Sequence, residues 1–206
     1  METMMKCVKN FLRFASPVRS AHNKQSGFTL IELLVVIAII GLLSSVVMTT
    51  LNNTKESAMY AVAKEELNLI ADALMLAGNP SERAINITGF TCSGCRCRET
   101  YDPTLINIQN VPDSSDCIVR WSQALSNIAD KSIVINENNY QLLIRDPWGA
   151  PYLMDENELE RPPPEECHWD HIRTVGSDGV RSTSDDYVIR LPFRTPVCKG
   201  RTIPST

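Results

Sequence analysis

Gly27-Phe28-Thr29-Leu30-Ile31-Glu32-Leu33-Leu34-Val35-Val36-Ile37-Ala38-Ile39-Ile40-Gly41-Leu42-Leu43 decides how the rest of this chain is read. From Phe28 to Val47 every residue but one is apolar or small. A run of about twenty such residues is long enough for a helix to cross a bilayer. The exception is Glu32. An acid in hydrocarbon costs roughly 2.5–3.5 kcal/mol on insertion scales, so it faces a partner rather than lipid. Cleavage between Gly27 and Phe28 would create an α-amino group at the head of the helix, a counter-charge for Glu32 of the same chain or of a neighbour.

Working outward, the segment before Phe28 carries Lys6, Lys9, Arg13, Arg19 and Lys24 against Glu2. Basic residues beside a membrane segment favour the cytoplasmic side. The leader is therefore expected inside and everything after Val47 outside. Cleavage at Gly27 lies before the apolar run, not after it as in a secretory signal peptide, so the anchor stays. Losing the leader leaves a product more acidic than the whole chain, whose formal charge is −4. Such a product has no electrostatic footprint for nucleic acid. Of the seven cysteines, Cys7 goes with the leader. Cys92, Cys95, Cys97, Cys117, Cys167 and Cys198 remain on the exported side, where three disulfides of open connectivity are expected.

Gly27 followed by Phe28-Thr29-Leu30-Ile31-Glu32 and an unbroken apolar run resembles the class III signal of the type IV pilin and type II secretion pseudopilin superfamily. The resemblance implies that a prepilin peptidase cleaves after Gly27 and N-methylates Phe28, and that Glu32 registers an incoming subunit against a filament. Members often carry a proline near the end of the apolar run; this chain has Gly41 and no proline there. An ordinary signal anchor is the bland alternative.

Beyond the apolar run, Leu51, Ala58, Met59, Val62, Leu67, Ile70, Ala73, Leu74 and Ala77 recur at three- and four-residue steps among charged residues. This is the pattern of an amphipathic helix. Gly78-Asn79-Pro80 supplies stop signals, so one helix is expected from Phe28 to Ala77, on the order of 75 Å long. Asn79 to Asp116 reads as loop, with Cys92-Ser93-Gly94-Cys95-Arg96-Cys97 as a stapled segment. Zinc at those closely spaced thiolates is the sharper alternative. Cys117, Trp121, Ala124, Leu125 and Ile128 form a second helical stripe, with Ser114, Ser115 or Asp116 as N-cap. Ser132–Asn136, Tyr140–Arg145, Tyr152–Met154 and Tyr187–Leu191 read as strands. One long helix followed by a small antiparallel sheet is an α+β, pilin-like class. The expected organisation is a leader (1–27), a transmembrane helix half (28–50), an amphipathic half (51–78) and a periplasmic or extracellular head (79–206).

Asp146-Pro147-Trp148-Gly149 suits a type I turn, and resembles a segment of the major, G-type pseudopilins. Residues Val175 to Asp186 are similar to the calcium loop of the same subunits. By that resemblance Asp178, Asp185 and Asp186 supply carboxylates, and Val175 and Val180 supply carbonyls, to a bound Ca²⁺, which takes hard oxygen ligands. It is not an EF-hand, and Arg181 and Ser182 stand where the loop is often Pro- or Gly-rich. Cys167, His168, Asp170 and His171 form a weaker candidate metal cluster.

An enzyme is not expected. After the leader only His168 and His171 remain, and there is no Gly-x-Ser-x-Gly elbow, phosphate loop or zinc-protease helix motif. The resemblance implies a structural filament subunit, most simply a type II secretion pseudopilin; a type IV pilus pilin for adhesion, motility or DNA uptake is the alternative. Its expected partners are prepilin peptidase, like subunits in a homo-oligomeric filament, other pseudopilins and the inner-membrane assembly platform. The expected location is the inner membrane as a single-pass protein, then a filament in the periplasm or at the cell surface. Intact mass of the protein recovered from membranes is expected to lack residues 1–27 and to carry one extra methyl group; a full-length, unmethylated species in cells with an active peptidase would refute this.

Overall fold

The computed structural model describes residues 28–163 and 165–201; the leader, with Gly27, lies outside them, as does the end of the tail. It is an α+β fold with a long N-terminal apolar helix and a small antiparallel sheet. The chain divides into two compact units, one through Met48 and one from Thr49 onward. Helix α1 (Leu30–Leu76) contributes to both.

In the first unit the apolar side chains of α1 are exposed all round, with Leu33 60%, Ile37 60% and Ile40 56% accessible. A helix apolar on every face without protein covering it needs lipid or other helices as solvent. Among the described residues α1 is the one helix long and apolar enough to cross a membrane.

In the second unit α1 becomes one-sided. Ala63, Leu67, Ile70, Ala71, Ala73, Leu74 and Ala77 are buried, at i, i+3, i+4 and i+7 spacing. Leu51 and Val62, expected on the stripe, are instead exposed: Leu51 precedes the half-buried Met59 and Tyr60 where the head begins to cover the helix, and Val62 lies off the covered face. Helix α2 (Ala84–Thr88) and helix α3 (Asp116–Lys131) close the main core with Ile87, Trp121, Leu125 and Ile128. Ser115 caps α3, its hydroxyl accepting from the Ile118 N–H at 3.3 Å.

The sheet is β1 (Leu153–Asp155), β2 (His171–Thr174) and β3 (Tyr187–Arg190), antiparallel in that order. Met154 pairs with Ile172, and Ile172 with Ile189, so one face carries an apolar row into the main core. Alternation sends Leu153 to the opposite face, where it joins a second cluster with Cys97, Ile108, Cys117, Ile118 and Val175. Asp155, His171 and Arg173 share that second face by register. A 3-10 turn, Ser93–Cys97, lies flat on β1. A Cβ on Gly94 would fall 2.9 Å from the Met154 backbone N and O, so no larger residue permits this approach.

The strands expected at Ser132–Asn136 and Tyr140–Arg145 do not form. Asn136 and Asn139 bind nearby backbone instead: Asn136 N–H donates to Asn139 Oδ1 at 2.8 Å and Asn138 N–H to Asn136 Oδ1 at 2.9 Å. Such local bonds compete with a strand ladder, and Tyr140–Leu143 follows as a 3-10 turn. Conversely β2, the central strand, was not expected, and neither was α2 inside the stretch read as loop.

The residues after β3 are part of the core architecture rather than an added tail. Arg194, 1% exposed, reaches beneath the C-terminal end of α1. Its guanidinium donates to the carbonyls of Leu74, Ala77, Asn79 and Glu82, the last three at 2.7, 2.9 and 2.7 Å. Helix ends leave such carbonyls without intrahelical partners, and a cation there complements the dipole. Helix α1 has no basic residue of its own in its last turn. Glu158, 2% exposed, holds this segment by accepting from the N–H groups of Arg194 and Thr195 at 3.0 and 2.8 Å. Replacing Arg194 with Met is expected to lower head stability by about 3–5 kcal/mol, read by denaturant unfolding; a loss under about 1 kcal/mol would show that the carbonyls find other partners.

Candidate functional site

Two places carry chemistry that the fold does not consume: the head of α1 and the acidic loop after β2. At the first, Thr29 precedes the first helical residue and Glu32 lies in the first turn. Glu32 accepts from the Thr29 N–H at 2.8 Å and from its hydroxyl at 2.7 Å, while the Glu32 N–H donates to Thr29 Oγ1 at 3.3 Å. This is a reciprocal capping box. Its signal, Thr-x-x-Glu, was present in the sequence but obscured by reading Glu32 only as a charge awaiting a partner. Phe28 is 87% exposed.

The second place is Val175–Asp186. Gly176 turns the chain with φ +67°, and a Cβ there would meet the Asp185 carbonyl and carboxylate oxygens at 2.5 Å. Glycine therefore lets Asp185 fold back over the loop. Asp185 Oδ2 accepts from the Asp178 N–H at 3.0 Å and the Ser177 hydroxyl at 3.1 Å. Asp186 Oδ2 accepts from the Ser182 N–H at 2.9 Å and lies 3.5 Å from Arg173. Asp178 Oδ1 accepts from the Val180 N–H at 2.7 Å.

The inward-facing oxygens meet at Thr183, a residue the sequence reading did not single out. Its hydroxyl oxygen lies 2.6 Å from Asp185 Oδ1, 3.2 Å from Asp186 Oδ1, 3.4 Å from Asp178 Oδ1 and 3.0 Å from the Val180 carbonyl. A hydroxyl has one proton to donate, so one donor serves four acceptors, three of them carboxylate oxygens. Burial pushes the Asp185 carboxyl up, but hydrogen bonds from Thr183, the Asp178 N–H and Ser177 outweigh it and hold it below its ordinary value. An all-oxygen, acid-rich set of this kind fits a hard cation such as Ca²⁺.

The loop is pinned from outside. Asn107 and Gln109 donate to the carbonyls of Asp178 and Ser177 at 2.7 and 2.8 Å, and the Ile108 N–H to Gly179 at 2.9 Å. The Tyr60 hydroxyl of α1 donates to the Asp185 carbonyl at 3.1 Å, and its ring meets Trp148 edge-on at 4.6 Å. Trp148 belongs to the Asp146–Gly149 turn. Buried Asp146 accepts there from the Trp148 and Ala150 N–H groups and, at 2.6 Å, from the Thr174 hydroxyl of β2. The turn thus fixes the strand from which the acidic loop departs.

The remaining candidates are structural. Cys92–Cys95, Cys97–Cys117 and Cys167–Cys198 are disulfides. The sulfurs of Cys92 and Cys95 lie near an Asp155 oxygen, but paired sulfurs are not thiolate ligands. His171 is engaged by Arg173 at 2.9 Å and Asn157 at 3.4 Å. Burial pushes the carboxyls of Glu156 and Asp170 up to about 7 and about 6. Raised acids often mark catalytic sites; these are 1% and 4% exposed and surrounded by donors, Ser93 for Glu156 and the Asn157 and Glu158 N–H groups for Asp170. No substrate reaches them.

A prokaryotic N-terminal methylation motif matches residues 22–48. The type II secretion system core protein G of Pseudomonas aeruginosa is 43% identical over 51 residues, 25% of this chain and 36% of that protein. The Aeromonas hydrophila protein of the same name is 27% identical over 164 residues, 79% of this chain and 90% of that one. No solved structure matches. The chain spans about a third of the first relative and nine-tenths of the second. The chain thus joins a prepilin-type methylation motif to a pilin-like α+β fold with distant similarity to type II secretion core protein G.

Proposed function

We propose that this chain is a non-enzymatic, structural subunit of a pilus-like filament, of the type II secretion pseudopilin kind. The observation that carries the reading is the fully exposed apolar half of α1 headed by Glu32, joined to a head similar over most of its length to core protein G. Prepilin peptidase cuts at Gly27 and methylates Phe28. The anchor, expected to be inserted with its N-terminus inside, then leaves lipid to stack with like helices. On polymerisation Glu32 exchanges its local Thr29 bonds for the free amine of a neighbour's Phe28, a charge-assisted contact in a dry medium. Residues 28–50 and 51–78 of the helix divide between membrane and head, with 79–206 outside. A pilus pilin is the second reading, favoured by three disulfides that armour a head exposed beyond the cell; loss of exoprotein export on deleting the gene distinguishes the first reading from it.

Glu32 offers a clean test because its capping and pairing roles are separable. Gln also serves in a capping box, so Glu32→Gln retains the cap and removes the charge. The variant is expected to insert and be processed normally yet fail to assemble, with filament yield down roughly tenfold or more, as loss of a buried charge pair implies. Normal filaments would reduce Glu32 to a helix cap.

The acidic loop is read as the calcium site, with Asp178, Asp185, Asp186 and the carbonyls of Val175 and Val180 as ligands and Thr183 beside them. When bound, Ca²⁺ neutralises carboxylates that otherwise share one hydroxyl proton. Saturating Ca²⁺ is expected to raise the melting temperature of the detergent-solubilised chain by on the order of 5–10 °C, reversed by chelation and abolished in Asp185→Asn. Absence of both titration heat and thermal shift would dispose of the site.

A further inference from the structure

On the face of the sheet opposite the main core, three guanidinium groups converge. Arg173 comes from β2, Arg181 from the acidic loop and Arg98 from the segment after the Ser93–Cys97 turn. All three line one open pocket of about 410 Å³, whose apolar wall is Leu105 and Ile106 and whose rim carries Glu99.

The ion pairing there is incomplete. Arg98 pairs with Asp155 at 3.1 Å, and Arg173 with Asp186 at 3.5 Å and with the His171 ring at 2.9 Å. Among the described residues no carboxylate lies within ion-pair distance of Arg181. Its Nη1 is buried without a hydrogen-bond partner, as is Arg98 Nε. A cation held against two others, with donors unspent, is destabilised unless something supplies negative charge.

We propose that the Arg98–Arg173–Arg181 pocket is a binding site for a small oxyanion, the carboxylate or phosphate group of a ligand whose apolar part rests on Leu105 and Ile106. Guanidinium forks match the paired oxygens of either group. A site with one unpaired charge and two idle buried donors supplies both the attraction and the directional contacts. Glu99, also in the lining, opposes anion entry and so limits how tight binding can be.

The test uses the full chain in detergent with Ca²⁺ present, at constant ionic strength balanced with chloride so that general screening is fixed. Inorganic phosphate and benzoate are titrated separately, by calorimetry and by thermal unfolding. At least one is expected to bind saturably in the millimolar range or tighter; saturation by phosphate alone assigns a tetrahedral anion, and by benzoate a carboxylate with an apolar body. Arg181→Gln is expected to weaken binding by roughly tenfold or more while leaving the anion-free melting temperature unchanged or higher, because it relieves repulsion. Glu99→Gln, at an exposed position that cannot upset the fold, is expected to tighten binding about two- to threefold. No saturation by either anion, or identical titrations in wild type and both variants, would overturn the proposal. So would an Arg181→Gln protein that melts lower without anion and binds unchanged, since that is the behaviour of a purely structural arginine.

Discussion

The guanidinium of Arg194 beneath the end of α1 is the constraint on which the head depends. Where a helix ends inside a protein, its last carbonyls and those of the turn that follows need donors. Arg194 supplies them to Leu74 in the last turn of α1 and to Ala77, Asn79 and Glu82 just beyond it, with one rigid, permanently charged fork. The requirement propagates. The Arg194 backbone is held by Glu158, and Phe193 stacks on Trp169 with ring centroids 4.4 Å apart. Cys198, just beyond, is linked to Cys167, so the last residues of the fold are fastened at both levels.

The same logic governs the other buried acids. Glu156, Glu158, Asp170 and Asp146 each accept from backbone N–H groups in segments that lack a strand or helix partner. With only three short strands, the head has few ladder bonds to stabilise its backbone, and side chains supply what the sheet does not. Disulfides do the covalent part. Cys97–Cys117 joins the turn lying on β1 to the start of α3, and so ties the second apolar cluster together. Glu156, Asp170 and Asp146 resemble catalytic groups in their burial and elevated proton affinity, yet each of the four acids is occupied in holding the chain.

Function sits where such satisfaction is incomplete. Among the described residues the apolar half of α1 is exposed, the acidic loop offers the one Thr183 hydroxyl proton to four oxygens, and the arginine pocket holds two buried guanidinium nitrogens without a hydrogen-bond partner. Each points outside the monomer: to lipid and like helices, to a hard cation, and to an anion. Glu32 differs because it is already satisfied by Thr29 in the single chain. In the proposed filament, polymerisation would have to offer it a better partner, not merely a first one.

The sequence by itself determined the elements whose physics is local or periodic. An uninterrupted apolar run, the three- and four-residue stripe of α3, the stop at Gly78 and the Asp-Pro-Trp-Gly turn all follow from neighbours along the chain. The methylation motif, which includes Gly27–Glu32, is likewise contiguous. Tertiary structure decided what depends on distant partners. The β2 strand, His-Ile-Arg-Thr, has too few apolar residues to announce itself, and exists because Met154 and Ile189 flank Ile172. Ser132–Asn136 has the better strand composition but lacks a pairing edge and turns on its own asparagines. Disulfide connectivity, the gathering of loop oxygens around Thr183, and the reach of Arg194 across more than a hundred residues to the end of α1 are settled only when the chain closes. No local pattern encodes a contact whose energy comes from groups brought together by folding.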